Sequence, residues 1–111
     1  MADNNFAFRR STDPFMLPVN TTPQRFDVPA DLKAAGYMSF CVVNPNPFWV
    51  RLKGSVGAYS PVAADTGWLF PPGFFGVFST QYPEFMSAMS VTKQGIAAGA
   101  GTLEISYGGG A

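Results

Sequence analysis

The chain has 111 residues, no histidine, one cysteine, seven acidic and seven basic side chains, and 11 Phe, 4 Tyr and 2 Trp. That composition excludes a Ser-His-Asp or Cys-His nucleophile pair, a metal centre built on His or Cys and an internal disulfide, and the balanced charge offers no basic stripe to nucleic-acid phosphates. What remains is one domain, long enough to bury a core without covalent staples, and an excess of large apolar groups of the kind that mark interfaces when exposed.

Residues 1–23 read as an extended arm. Pro14, Pro18 and Pro23 forbid a long helix there. The start, Met1-Ala2-Asp3-Asn4-Asn5, lacks the basic and apolar stretches of a secretory signal, so synthesis in a cytoplasm is expected. Phe6, Phe8, Phe15, Met16 and Leu17 are interleaved among polar residues. Such an arm either packs along its own domain or reaches over a neighbouring subunit, and at about 3.3 Å per extended residue it outreaches a domain of this size. The body, residues 24–111, is expected to fold without residues 1–20.

From residue 24 the pattern is that of strands. In 24–28, Phe26 and Val28 share one face and Arg25 and Asp27 the other. Residues 30–36 supply at most a turn or two of helix, with Asp31 as cap and Gly36 as stop. Residues 37–43 form a near-continuous apolar run, which fits a strand buried on both faces; Cys41 lies in it and reads as a small buried hydrophobe. Asn44-Pro45-Asn46-Pro47 is a loop. Residues 48–53 then alternate, with Phe48, Val50 and Leu52 on one face and Trp49, Arg51 and Lys53 on the other. So short a loop cannot carry a parallel crossover, and the two runs are expected to pair antiparallel.

A long loop of small residues spans 54–65. Thr66-Gly67-Trp68-Leu69-Phe70 and residues 74–80, separated by Pro71-Pro72-Gly73, read as a hairpin with a wide aromatic turn. After the turn Gln81-Tyr82-Pro83-Glu84 come a strand over 85–92, a Gly/Ala loop over 94–101, and a closing strand over 102–107 with Leu103, Ile105 and Tyr107 inward and Glu104 and Ser106 outward. About six to eight short strands, turn signals about every 8–12 residues and no convincing helix specify an all-β fold: a compact antiparallel β-sandwich of jelly-roll or Greek-key type with an extended N-terminal arm.

No constellation for chemistry emerges. No motif sets Lys33, Lys53 or Lys93 beside a serine, and Asp27, Asp31, Asp65, Glu84 and Glu104 are isolated carboxylates at turns or outer faces. The glycine runs at 99–101 and 108–110 are not followed by the helix or Lys-Ser/Thr of a phosphate cradle. Neither enzymatic activity, nor a cofactor, nor a metal, nor a small-molecule substrate is expected. The longest apolar run, 68–78, is broken by Pro-Pro-Gly and falls short of the roughly 18 residues of a membrane span; no basic residue flanks its tip to recruit it to anionic lipid, so no membrane partner is expected. The aromatics remain. They serve the core, or a stacking platform for a sugar with Gln81 and Glu84 beside the rings, or the buried centre of a protein–protein interface, where Trp, Tyr and Phe are enriched.

Three stretches carry a resemblance: Asn44-Pro45-Asn46-Pro47-Phe48-Trp49-Val50-Arg51-Leu52-Lys53-Gly54, Thr66-Gly67-Trp68-Leu69-Phe70-Pro71-Pro72-Gly73, and Gln81-Tyr82-Pro83. Over roughly residues 37–91 and 103–110 the chain resembles small structural proteins of tailed phages. The resemblance implies a virion component on the capsid surface, a cement (decoration) protein that binds the assembled head and bridges capsid subunits. Such proteins include jelly-roll-like domains that oligomerise over the joints between major-capsid hexamers, often with extended arms. The expected partners are the major capsid protein and further copies of the chain, and the expected contact residues are Phe6, Phe8, Phe15, Trp49, Trp68, Phe74, Phe75 and Tyr82. The alternatives are a tail or head–tail accessory protein, or a carbohydrate- or receptor-binding sandwich module.

Overall fold

Side-chain alternation at period two marks most of the nine strands found among the described residues. These are β1 (Arg9–Arg10), β2 (Phe15–Val19), β3 (Gln24–Asp27), β4 (Ser39–Val43), β5 (Trp49–Ser55), β6 (Trp68–Phe70), β7 (Phe75–Ser79), β8 (Phe85–Val91) and β9 (Gly101–Gly109). The computed structural model describes residues 9–10, 15–28, 39–79 and 84–109, and no helix occurs among them. The short helical segment expected at 30–36, and Phe6, Phe8 and Tyr82, lie outside the described residues.

Every pairing among the described residues is antiparallel. Sheet A has the order β9-β4-β7, with β1 and β2 both running along the far side of β9; sheet B has the order β3-β8-β5-β6. The pairs β5–β6, β4–β7, β3–β8 and β2–β9 describe one long ribbon folded back on itself, with its tip between β5 and β6. Rolling that ribbon adds the pairs β4–β9 and β5–β8 and divides it into two facing sheets. This is the jelly-roll arrangement of a β-sandwich, so the expected fold class holds.

Both expected local hairpins are corrected. β4 and β5 lie in different sheets, and so do β6 and β7. The short loop excludes a parallel crossover but does not fix which sheet receives the next strand. Buried Asn44 decides that. Its backbone N–H donates to the Phe74 carbonyl at 2.8 Å and carries the β4–β7 ladder one residue past Val43. Its Nδ2 donates to the carbonyls of Phe48 at 3.1 Å and Pro71 at 3.0 Å, while its Oδ1 accepts from Asn46 N–H at 3.2 Å and Asn46 Nδ2 at 2.9 Å. Asn46 Nδ2 also reaches the Thr102 carbonyl on β9 at 2.8 Å. Asn-Pro-Asn-Pro is therefore a corner between sheets, and Pro71-Pro72-Gly73 is a second corner beside it, closed by Phe74 N–H on the Pro71 carbonyl at 3.1 Å.

The core lies between the sheets. Sheet A contributes Leu17, Val19, Phe40, Val42, Leu103 and Ile105, and sheet B contributes Val50, Leu52, Phe70, Met86 and Ala88, with Phe48 at the corner. Full burial of such side chains stabilises by roughly 1.5–3 kcal/mol each. Leu17 and Val19 are 1% and 2% exposed, so residues ahead of position 23 belong to the sandwich. The expectation that the body folds without residues 1–20 is corrected for this reason: that deletion strips a strand from β9 and two side chains from the core. The alternation expected in 48–53 and 103–106 is observed, except that outward-facing Ser106 is buried beside Cys41.

Candidate interaction surface

The outer faces of the two sheets are treated differently. On sheet B the segment 56–67, between β5 and β6, lies across the strands. Arg51 on β5 holds it by donating from Nε to the Ala64 carbonyl at 3.1 Å and from Nη1 to the Gly67 carbonyl at 3.2 Å. Lys53 Nζ donates to Ser60 Oγ at 2.7 Å. On β8 the buried Ser87 hydroxyl accepts from Val62 N–H at 3.0 Å and bonds Tyr59 Oη at 3.0 Å. Arg25 caps one end, its guanidinium 4.7 Å from the Tyr59 ring and 5.0 Å from that of Phe85, with Asp27 alongside at 2.6 Å. Arg25, Arg51 and Lys53 are thus engaged with the protein's own loop. Beside the covered part an open depression of ≈ 430 Å³ remains, lined by Arg51, Leu69, Met89, Val91 and Lys93 among others.

Sheet A carries no such cover among the described residues. The register sets four outward residues in a row across it: Met16 on β2 faces Glu104 on β9, Glu104 faces Val43 on β4, and Val43 faces Phe75 on β7. The next row runs from Ser106 through Cys41 to Val77. Phe75 is 67% exposed, Met16 56% and Val77 38%, three of the five large apolar side chains left open to solvent among the described residues. Glu104 stands in the middle of this apolar band, and no ion pair to it occurs among the described residues. Burial in the first place, and the Glu104 charge in the second, push the Cys41 thiol above its ordinary value.

The expected contact residues divide. Phe75 projects from sheet A. Phe15 packs on Phe26 with ring centroids 5.2 Å apart, Trp68 on Phe40 at 5.9 Å, and Phe74 stacks on Phe70 at 4.7 Å; all three turn to the core. Trp49 lies half-buried on the outer face of sheet B with the Lys93 ammonium 5.7 Å from its ring centre, and its buried indole N–H has no hydrogen-bond partner among the described residues. Neither tryptophan is an open stacking platform. Met16, Val43 and Val77 were not among the expected contact residues, although Met16 was noted among the apolar groups of the arm. For Met16 and Val43 the available signal was parity, since they sit one position from the core residues Leu17 and Val42 and so face the opposite way.

Among the described residues no group of three or more His, Cys, Asp or Glu gathers in a way that would hold a metal ion. No family model matches the chain, and comparison with curated proteins and with solved structures finds no match.

Proposed function

We propose that this protein is a structural virion component, a capsid cement protein of a tailed phage that binds the assembled head and bridges its subunits. The observation that carries the reading is the row Met16–Glu104–Val43–Phe75: an apolar band standing open on a sandwich whose core is complete without it. Apolar surface gains about 25 cal/mol for each Å² removed from water, so a band of this kind favours a protein partner over solvent. Glu104 within it sets a condition on that partner, because a carboxylate buried without a counter-charge is costly. The complementary surface is therefore apolar with a lysine or arginine opposite Glu104.

The phage setting is supported by the resemblance over residues 37–91 and 103–110. A cement protein needs only modest affinity per copy. It binds the assembled lattice and not the free subunit, which stabilises the lattice by linkage, and each copy bridging two subunits raises the total through multivalency.

The test is binding to purified shells stripped of the protein, read as copies bound per shell. Wild-type chain is expected to bind in proportion to the number of capsid subunits, while Phe75→Asp and Glu104→Lys bind weakly though folded. A copy number of a handful assigns the protein to the tail or a vertex. No binding to shells removes the cement reading, and undiminished binding by folded Phe75→Asp removes this face from it.

A further inference from the structure

A sheet edge presents unpaired N–H and C=O groups, and soluble proteins blunt such edges with charge, proline or brevity. Three of the four edges here are blunted. β2 carries Pro18, β3 carries Arg25 and Asp27, and β6 is only 3 residues long. The fourth, β7, reads Phe-Gly-Val-Phe-Ser over 5 residues, without charge or proline. Among the described residues only β4 pairs with it.

The ladder fixes which groups of β7 face outward. Asn44 N–H donates to the Phe74 carbonyl, so Phe74 bonds toward β4. In an antiparallel pair the bonding direction alternates along each strand. Gly76 and Phe78, opposite Val42 and Phe40, therefore also bond toward β4, and the N–H and C=O groups of Phe75, Val77 and Ser79 point to the free edge. These odd-numbered positions are symmetric about Val77.

From this we infer that β7 pairs antiparallel with β7 of a second copy about a two-fold axis through Val77. In that register Val77 faces Val77 and Phe75 faces Ser79 of the other copy. Phe75, Val77 and Ser79 of each copy then give an N–H to the other, and no outward group along the strand is left over. On a two-fold axis a residue meets its own image, so a charge at position 77 would be repelled; Val77 carries none, and β7 has no charge elsewhere. Exposed Val77 meets its counterpart on the axis, and exposed Phe75 lies diagonally across from Val77 of the other copy. The two copies of sheet A become one continuous sheet, in which the row Ser106–Cys41–Val77 continues into its symmetry mate and the row Met16–Glu104–Val43–Phe75 runs on to position 79 of the other copy. A foreign strand would have to supply the same spacing of outward groups, which a second copy has by identity. The pairing is a property of the chain in solution and stands or falls apart from any shell.

The experiment is sedimentation equilibrium of the full chain over a dilution series, with amide hydrogen exchange read residue by residue. Wild type is expected to be a dimer, with the Phe75, Val77 and Ser79 amides protected at high concentration and exchanging freely on dilution. Val77→Lys and Val77→Glu are each expected to be folded monomers, since position 77 faces away from the core, and an equimolar mixture of the two is expected to recover dimers. A wild-type monomer at the highest soluble concentration overturns the proposal. So does a dimer in which those amides stay unprotected, or folded variants that remain dimeric alone. Should both variants unfold, the wild-type exchange pattern decides the question by itself.

Discussion

Asn44 is the residue whose removal should cost most for its size. It is fully buried, and its side-chain amide answers the carbonyls of Phe48 and Pro71 while accepting two hydrogen bonds from Asn46. Asn44→Ala strands at least two carbonyls at the corner between sheets. A buried polar group left without its partner costs about 1–3 kcal/mol, so the loss is about 2–6 kcal/mol, a large share of the ~5–15 kcal/mol that keeps a domain folded. With a urea slope of about 2 kcal/mol/M, a loss of about 3 kcal/mol lowers the unfolding midpoint by about 1.5 M. Equilibrium urea unfolding followed by tryptophan fluorescence measures this, because Trp68 packs against the core beside Phe40. Asn44→Asp is the sharper control. It keeps the size and the acceptor side, but points a second carboxylate oxygen at carbonyls, and should be less stable than Asn44→Ala. A midpoint for Asn44→Ala within error of wild type, or Asn44→Asp the more stable of the two, would refute the claim that this amide holds the corner.

Two further outcomes are expected. Gly67 and Gly73 both have positive φ, 77° and 75°, but a Cβ at Gly67 would strike the Leu52 carbonyl while one at Gly73 meets open space. Gly73→Ala should therefore cost only the left-handed backbone term of about 1–2 kcal/mol, and Gly67→Ala distinctly more; equal losses in thermal melts would contradict the close approach of residue 67 to β5. The folded state holds the Cys41 thiol proton more tightly than the unfolded chain, because burial and Glu104 raise its pKa. The stability difference between wild type and Cys41→Ala should thus be flat below the unfolded thiol value of about 8.5 and shrink as pH rises from there through the folded value; a difference that grows with pH would reverse the sign.

Strand content was legible in the sequence because period-two alternation survives into the structure. Val50 and Leu52 against Arg51 and Lys53, and Leu103 and Ile105 against Glu104, sit where their spacing put them. Sheet membership was not legible. Loop length constrains the direction of the next strand, whereas the side chains of Asn44 and Asn46, reaching carbonyls as far along the chain as Pro71 and Thr102, determine where it goes. The surface was legible in part for a similar reason. Parity distinguishes two faces of a strand, but only the fold reveals that 56–67 covers the outer face of sheet B, and that on sheet A Met16, Phe75 and Val77 keep their exposure while Cys41 and Ser106 are buried. Phe74 and Trp68, at strand ends, read as free rings; Phe74 folds back on Phe70 and Trp68 onto Phe40.

The position of β9 between β2 and β4 has a consequence for how the molecule is made. As the nascent chain leaves the ribosome, all four members of sheet B are available once β8 has emerged, whereas sheet A is still in pieces, with β1 and β2 lacking their partner β9 and only β4 paired, with β7. The greasy floor formed by Val50, Leu52, Met86 and Ala88 then has no complete lid. Closure waits for the ninth strand to slot between its two distant neighbours, a remote encounter that places assembly in the slow, millisecond-to-second regime typical of nonlocal β topologies.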